Sequence, residues 1–193
     1  KIIQLEVIHT IDISGLPFKG PEHAPVTIAV FGDISDPIAA LEALLQQVLD
    51  KYPNEVKLVY KNFPLRNHKF AVKAAKAALA ANAQGKYWEF HDHLYQNYRN
   101  LNDLKIQEIA NKLHLDLEKL NKNMKDPDLQ RLIIRDVKNG REIGVTGIRA
   151  VFVNGKRLKN RNLLGFEQMI VTELKTEDKM PAKDAPAGHE SSP

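Results

Sequence analysis

The chain has 193 residues, enough for one compact domain with a full core, or for one domain carrying a sizeable insertion. Hydrophobic residues at 43% and charged residues at 27% exclude disorder throughout, and no run of about 18 apolar residues is present to span a membrane. The formal net charge of +4 is largely lysine spread along helical stretches, a solvated face and not a nucleic-acid stripe, and the chain has no cysteine, which removes disulfides, thiolate nucleophiles and zinc–thiolate sites together.

Residues 2–13 alternate in part, through Ile3, Leu5 and Val7, and predict a short edge strand. Residues 15–25, rich in Gly, Pro and His, read as a connecting loop. The short apolar, β-branched run of residues 26–31 predicts a strand buried on both faces. A helix follows, with Asp36 as its N-cap and Pro37 at its first position, where a missing N–H costs nothing. Ile38, Leu41, Leu44, Leu45 and Val48 give that helix one apolar face. Tyr52-Pro53-Asn54 stops it, and residues 56–60 form the second strong strand, completing a βαβ unit.

From His68 to about Lys138 the signal is helical: an alanine-rich segment over 70–83, then shorter helices over 87–98, 104–113 and 117–124. Leu129, Leu132, Ile133 and Val137 mark another helix, ended by Gly140 or by Gly144. Ala150–Val153, Asn154-Gly155 and Lys156–Leu158 predict a β-hairpin, because Asn-Gly suits a two-residue turn. Residues 166–174 form a final amphipathic helix, and the polar, Pro-, Lys- and Ser-rich residues 176–193 read as a disordered tail. The order βαβ, helices, helix–ββ–helix is an α/β thioredoxin-like fold with an inserted all-helical domain. Its expected parts are an N-terminal strand and loop (1–19), the thioredoxin-like domain (20–66 and 129–175), the helical insertion (67–128) and the tail.

Four ordered stretches carry a resemblance to a known family. They are residues 24–33 (APVTIAVFGD), 58–65 (LVYKNFPL) with His68, 74–92 with its QGKYWEFHD end, and 144–155 with GVTG and VFVNG. Together they are similar to the DsbA-like thioredoxin family, bacterial extracytoplasmic disulfide oxidoreductases and isomerases. The resemblance implies a Cys-x-x-Cys at the start of the first helix, where the helix N-terminus stabilises a thiolate. Here those positions read Asp36-Pro37-Ile38-Ala39, with Asp36 for the attacking cysteine and Ala39 for the resolving one. A carboxylate cannot form a mixed disulfide, so the exchange step is absent. Val30 stands where many members carry a buried glutamate, and Arg149 where they carry a cis-proline. A cis bond before a non-proline residue costs roughly 2.5–4 kcal/mol, so Ile148–Arg149 is expected to be trans.

Asp36 and Arg149 lie on segments that face each other in this fold, and two readings stand: a bidentate ion pair, or a helix cap with an arginine turned to solvent. His91 and His93 cannot share a metal on a helix, since positions i and i+2 diverge. His68 reads as a local hydrogen-bonding residue, Tyr87, Trp88 and Phe90 as core of the insertion, and Lys156, Arg157, Lys159 and Arg161 as a solvated basic loop. No cofactor or metal is expected. The expected function is a redox-inactive, chaperone-like or assembly module of the periplasm or another extracytoplasmic space, binding a polypeptide through Asp36, Ile38, Ile148 and Arg149. Neither nucleic acid nor membrane insertion enters this reading. Lys1 opens the chain without an initiator Met, as in a processed chain. The alternative is a glutathione-transferase-like enzyme of the same fold, with the Ser35 hydroxyl holding a thiolate.

Overall fold

The computed structural model describes residues 6–35, 39–146 and 149–178. Two parallel strands, β2 (Val26–Gly32) and β3 (Val56–Asn62), form the centre of a five-stranded sheet. Between them runs α1 (Ala39–Lys51). On the far side of β2 lies β4 (Ala150–Val153), antiparallel, then β5 (Lys156–Arg157) across the Asn154-Gly155 turn. Both turn residues have positive φ (45° and 79°), the condition of a type I′ hairpin that Asn-Gly meets at least cost. Of the strand expected over residues 2–13, residues 2–5 lie outside the described residues; residues 6–13 form no strand, and Val7 and Ile8 are exposed. The edge strand is instead β1 (Phe18–Lys19), inside the stretch read as loop, paired antiparallel with β3.

Side-chain alternation divides the sheet into two buried faces. Val26, Ile28 and Val30 of β2 join Leu58, Tyr60, Val151 and Val153 against Leu45 and Val48 of α1 and Phe166 and Ile170 of α7 (Leu163–Glu177). The opposite face presents Phe31 and Phe152, which pack with Phe63 and Val145 beside α6 (Pro127–Glu142). Val30 is thus wholly buried in an apolar layer.

Between β3 and α6 come α2 (Ala71–Ala81), α3 (Tyr87–Gln96), α4 (Asp103–Lys112) and α5 (Leu117–Met124). Alanines let α2 approach its neighbours closely: Ala74, Ala77 and Ala81 are fully buried among Phe90, Leu94, Ile106, Leu120 and Ile133. Asn102, Asp116 and Asp126 cap the following three helices through their side-chain oxygens, and Pro127 opens α6. Tyr87 and Phe90 are core residues, as expected, while Trp88 lies half-buried against Tyr60.

Candidate functional site

The C-terminal ends of β2 and β3 and the start of α1 meet at one edge of the sheet, where open α/β sheets place their sites. Asp36, Pro37, Ile38 and Ile148 lie outside the described residues, and with them the Asp36–Arg149 pair and the Ile148–Arg149 bond. Ala39 opens α1 exposed, with only a methyl at the position matched to the resolving thiol.

Arg149 does not turn to solvent. It is 5% exposed, its guanidinium 5.9 Å from the ring centre of Tyr95 on α3. Arg161 donates to the Arg149 carbonyl, fixing the backbone just before β4. The positive charge at Arg149 also bears on Glu42 of α1: burial and the neighbouring Asp92 raise the Glu42 carboxyl, against the opposing pull of Lys19 and Arg149. An arginine therefore sits folded inward between α1 and α3.

The end of β2 is tied to the loop after β3 by Asp33, which is 2% exposed. Its carboxylate accepts from the Ser35 amide (2.7 Å), the Leu65 amide (2.6 Å) and His68 Nδ1 (2.7 Å). His68 makes the local hydrogen bond anticipated for it, and the bond at Nδ1 leaves Nε2 as the free face of the ring. Beside this clamp, Gly32, Asp33, Tyr60, Pro64, Tyr87 and Tyr95 line a cleft enclosing about 450 Å³, its mouth included. Burial pushes the Tyr60 and Tyr87 hydroxyls far above their ordinary range, so these walls stay uncharged.

His91 forms part of the same wall, its ring 4.5 Å from both Tyr60 and Tyr95. Its burial lowers its pKa, although Asp92 opposes the shift. A base depressed in the native state binds no proton where the unfolded chain already does, so stability falls as pH drops below the ordinary value of 6.5. Raised Glu42 acts in the opposite sense at lower pH. His91→Phe should therefore remove a slope of up to about 1.4 kcal/mol per pH unit below pH 6.5. Urea unfolding of both proteins across pH 5–8 reads the difference; parallel profiles would show that His91 titrates normally.

The hairpin cluster read as a solvated basic loop is partly neutralised. Lys156 is bound by Glu173 (2.8 Å) and Glu6 (3.2 Å), and Arg161 turns to the Arg149 carbonyl. A feature with no sequence signal lies behind the site, where Lys61 on the α6 face of β3 meets Asp136 at 2.7 Å, both side chains fully buried. His93, which was never expected to pair with His91, is half-buried.

A family model described as thioredoxin matches residues 15–171. The chain is 28% identical over 170 residues to a probable disulfide bond formation protein D of Bacillus cereus, covering 81% of this chain and 77% of that protein. It is 33% identical over 141 residues to Na(+)/H(+) antiporter NhaA 1 of Salinispora arenicola, but spans only 22% of the length of that relative. Among solved structures, a thioredoxin-like oxidoreductase from Silicibacter pomeroyi aligns with a TM-score of 0.71 at 27% identity, over 83% of this chain and 92% of that one. BdbD from Bacillus subtilis shares the fold at a TM-score of 0.70 and 21% identity, over 88% and 98% of the two chains. No helix among the described residues is long and apolar enough to cross a membrane. The chain belongs to the thioredoxin family as a DsbA-like member without a single cysteine.

Proposed function

We propose that this chain is a redox-inactive DsbA-like domain that binds a polypeptide partner in the periplasm or an equivalent extracytoplasmic space. One observation carries the reading: the edge that the resemblance assigns to thiol exchange holds a cleft and the Asp33–His68 clamp but no cysteine. The surface beside it supports a peptide ligand. Pro64 lines both the aromatic cleft and a wider groove of about 870 Å³, its mouth included, between α2 and α6, where Val72 and Ile134 are 40% and 55% exposed. Its lining mixes apolar Val72, Ile133, Ile134 and Val137 with polar Gln130, Lys138, Arg141 and Glu142, a combination suited to a peptide. Asp36, Ile38, Ile148 and the buried Arg149 are proposed as part of the same binding surface. The Salinispora antiporter, of which the matching stretch is about a fifth, supports an accessory domain serving a larger envelope assembly.

A labelled, reduced and carboxymethylated unfolded polypeptide is the appropriate probe. Its fluorescence anisotropy should show saturable binding, weakened about tenfold, or ~1.4 kcal/mol, by Val72→Glu combined with Ile134→Glu. Both positions are exposed, so the urea midpoint should stay nearly unchanged. Absence of binding, with glutathione instead raising the melting temperature, would favour the transferase-like alternative.

A further inference from the structure

We propose that Glu42, His91 and Asp92 form a binding site for a divalent transition-metal ion between α1 and α3. The three donors converge: His91 Nδ1 lies 3.5 Å from Asp92 Oδ1 and 4.0 Å from Glu42 Oε1, and all three ligand atoms fall within 4.8 Å of one another. Two donors on a tetrahedral zinc ion stand about 3.4 Å apart, so His91 and Asp92 are already spaced for one ion. Glu42 reaches it by rotating a flexible, part-exposed side chain.

The independent sign of a ligand is the nitrogen itself. His91 is 8% exposed, and its Nδ1 is buried with no hydrogen-bond partner among the described residues. The 3.5 Å approach of Asp92 does not meet hydrogen-bond geometry. A buried imidazole nitrogen facing two carboxylates, with no aligned donor between them, is stabilised by a cation. The imidazole is held in place by the rings of Tyr60, Tyr87 and Tyr95, as a ligand on a rigid element is. A cleft of about 470 Å³, its mouth included, between Lys19, Glu42, Gln46, Trp88 and Asp92 opens beside the carboxylates and supplies the water for the remaining coordination positions.

One nitrogen and two carboxylate donors suit Zn²⁺, Co²⁺ or Mn²⁺ better than Ca²⁺ or Mg²⁺. Lys19, seated on the face of Trp88 at 4.7 Å, and Arg149, on Tyr95, lie near enough to oppose a dication. The affinity is therefore moderate, in the micromolar range, and the ion is exchangeable. His93 takes no part, in keeping with the divergence of i and i+2 on a helix.

Zn²⁺ alone, at about a hundredfold excess over its Kd, should raise the melting temperature by roughly 5 °C. Co²⁺ should give visible absorption with one equivalent bound. Glu42→Gln and Asp92→Asn, at part-exposed positions that leave the fold intact, should each weaken binding at least about tenfold. His93→Ala should leave it unchanged. Equal loss in His93→Ala, retention in Glu42→Gln and Asp92→Asn, or no stabilisation by millimolar Zn²⁺ would overturn the assignment.

Discussion

Asp136→Ala should lower the unfolding free energy by about 3–5 kcal/mol, the cost of leaving one member of a buried ion pair unpartnered. Lys61 is fully buried on the α6 face of β3, donates to the Asp12 carbonyl and lies 5.6 Å from the ring centre of Phe31. Asp136 is its carboxylate partner and also accepts from the Asn62 amide (3.0 Å) and side chain (2.8 Å) and from Arg135 (3.0 Å). Removing it strands an ammonium and two Asn62 donors together. The melting temperature should fall by roughly 10 °C in a chain of this size. Hydrogen exchange should rise in residues 9–14, which Lys61 holds through Asp12.

The pH dependence of that variant has a definite sign. Burial already lowers the Lys61 pKa, against the pull of Asp136. Without the carboxylate it falls further, and between that depressed value and 10.5 the unfolded chain binds a proton that the native chain does not. Stability of Asp136→Ala should therefore rise with pH, and its deficit should be smaller at pH 9 than at pH 7. Lys61→Met with Asp136→Leu should recover most of the loss, since well-packed apolar residues commonly replace a buried pair at little cost. A deficit below about 1 kcal/mol in Asp136→Ala would show the pair to be far better solvated than its burial implies.

The second large effect concerns the lost chemistry. Asp36→Cys with Ala39→Cys should produce a chain that forms an intramolecular disulfide in glutathione buffer, because the resemblance implies the family's Cys-x-x-Cys at these two positions. The first thiol should alkylate with iodoacetamide below its ordinary pKa, as the attacking thiol of a Cys-x-x-Cys does. Insulin reduction should nevertheless stay slow while Arg149 stays buried against Tyr95 of α3. Adding Arg149→Pro should raise turnover at least about tenfold, ~1.4 kcal/mol of barrier. The carbonyl that Arg161 binds is retained in that variant. Failure of the disulfide to form would place the former active site elsewhere on the chain.

Much of this architecture was readable from short stretches. The apolar runs over 26–31 and 56–60 became β2 and β3, because a strand buried on both faces leaves an uninterrupted apolar signature. Asn154-Gly155 turned where positive φ is cheapest. Ile3 and Leu5 lie outside the described residues, and the strand expectation did not carry through residues 6–13, where the His9 amide donates to the Gly155 carbonyl without forming a ladder. A two-residue strand such as β1 has no periodicity to detect, and only its pairing with β3 defines it.

The absence of cysteine, the family pattern and the lack of any thiol for exchange chemistry were determined by the sequence alone, since they depend on residue identity and on spacing along the chain. Where the charges go was decided only by the tertiary structure. Lys61 meets Asp136, Arg149 turns inward to Tyr95, and His91 faces Glu42 across the gap between α1 and α3. Each of these contacts joins residues far apart in sequence, and a charged side chain is driven inward only where folding has already placed its partner.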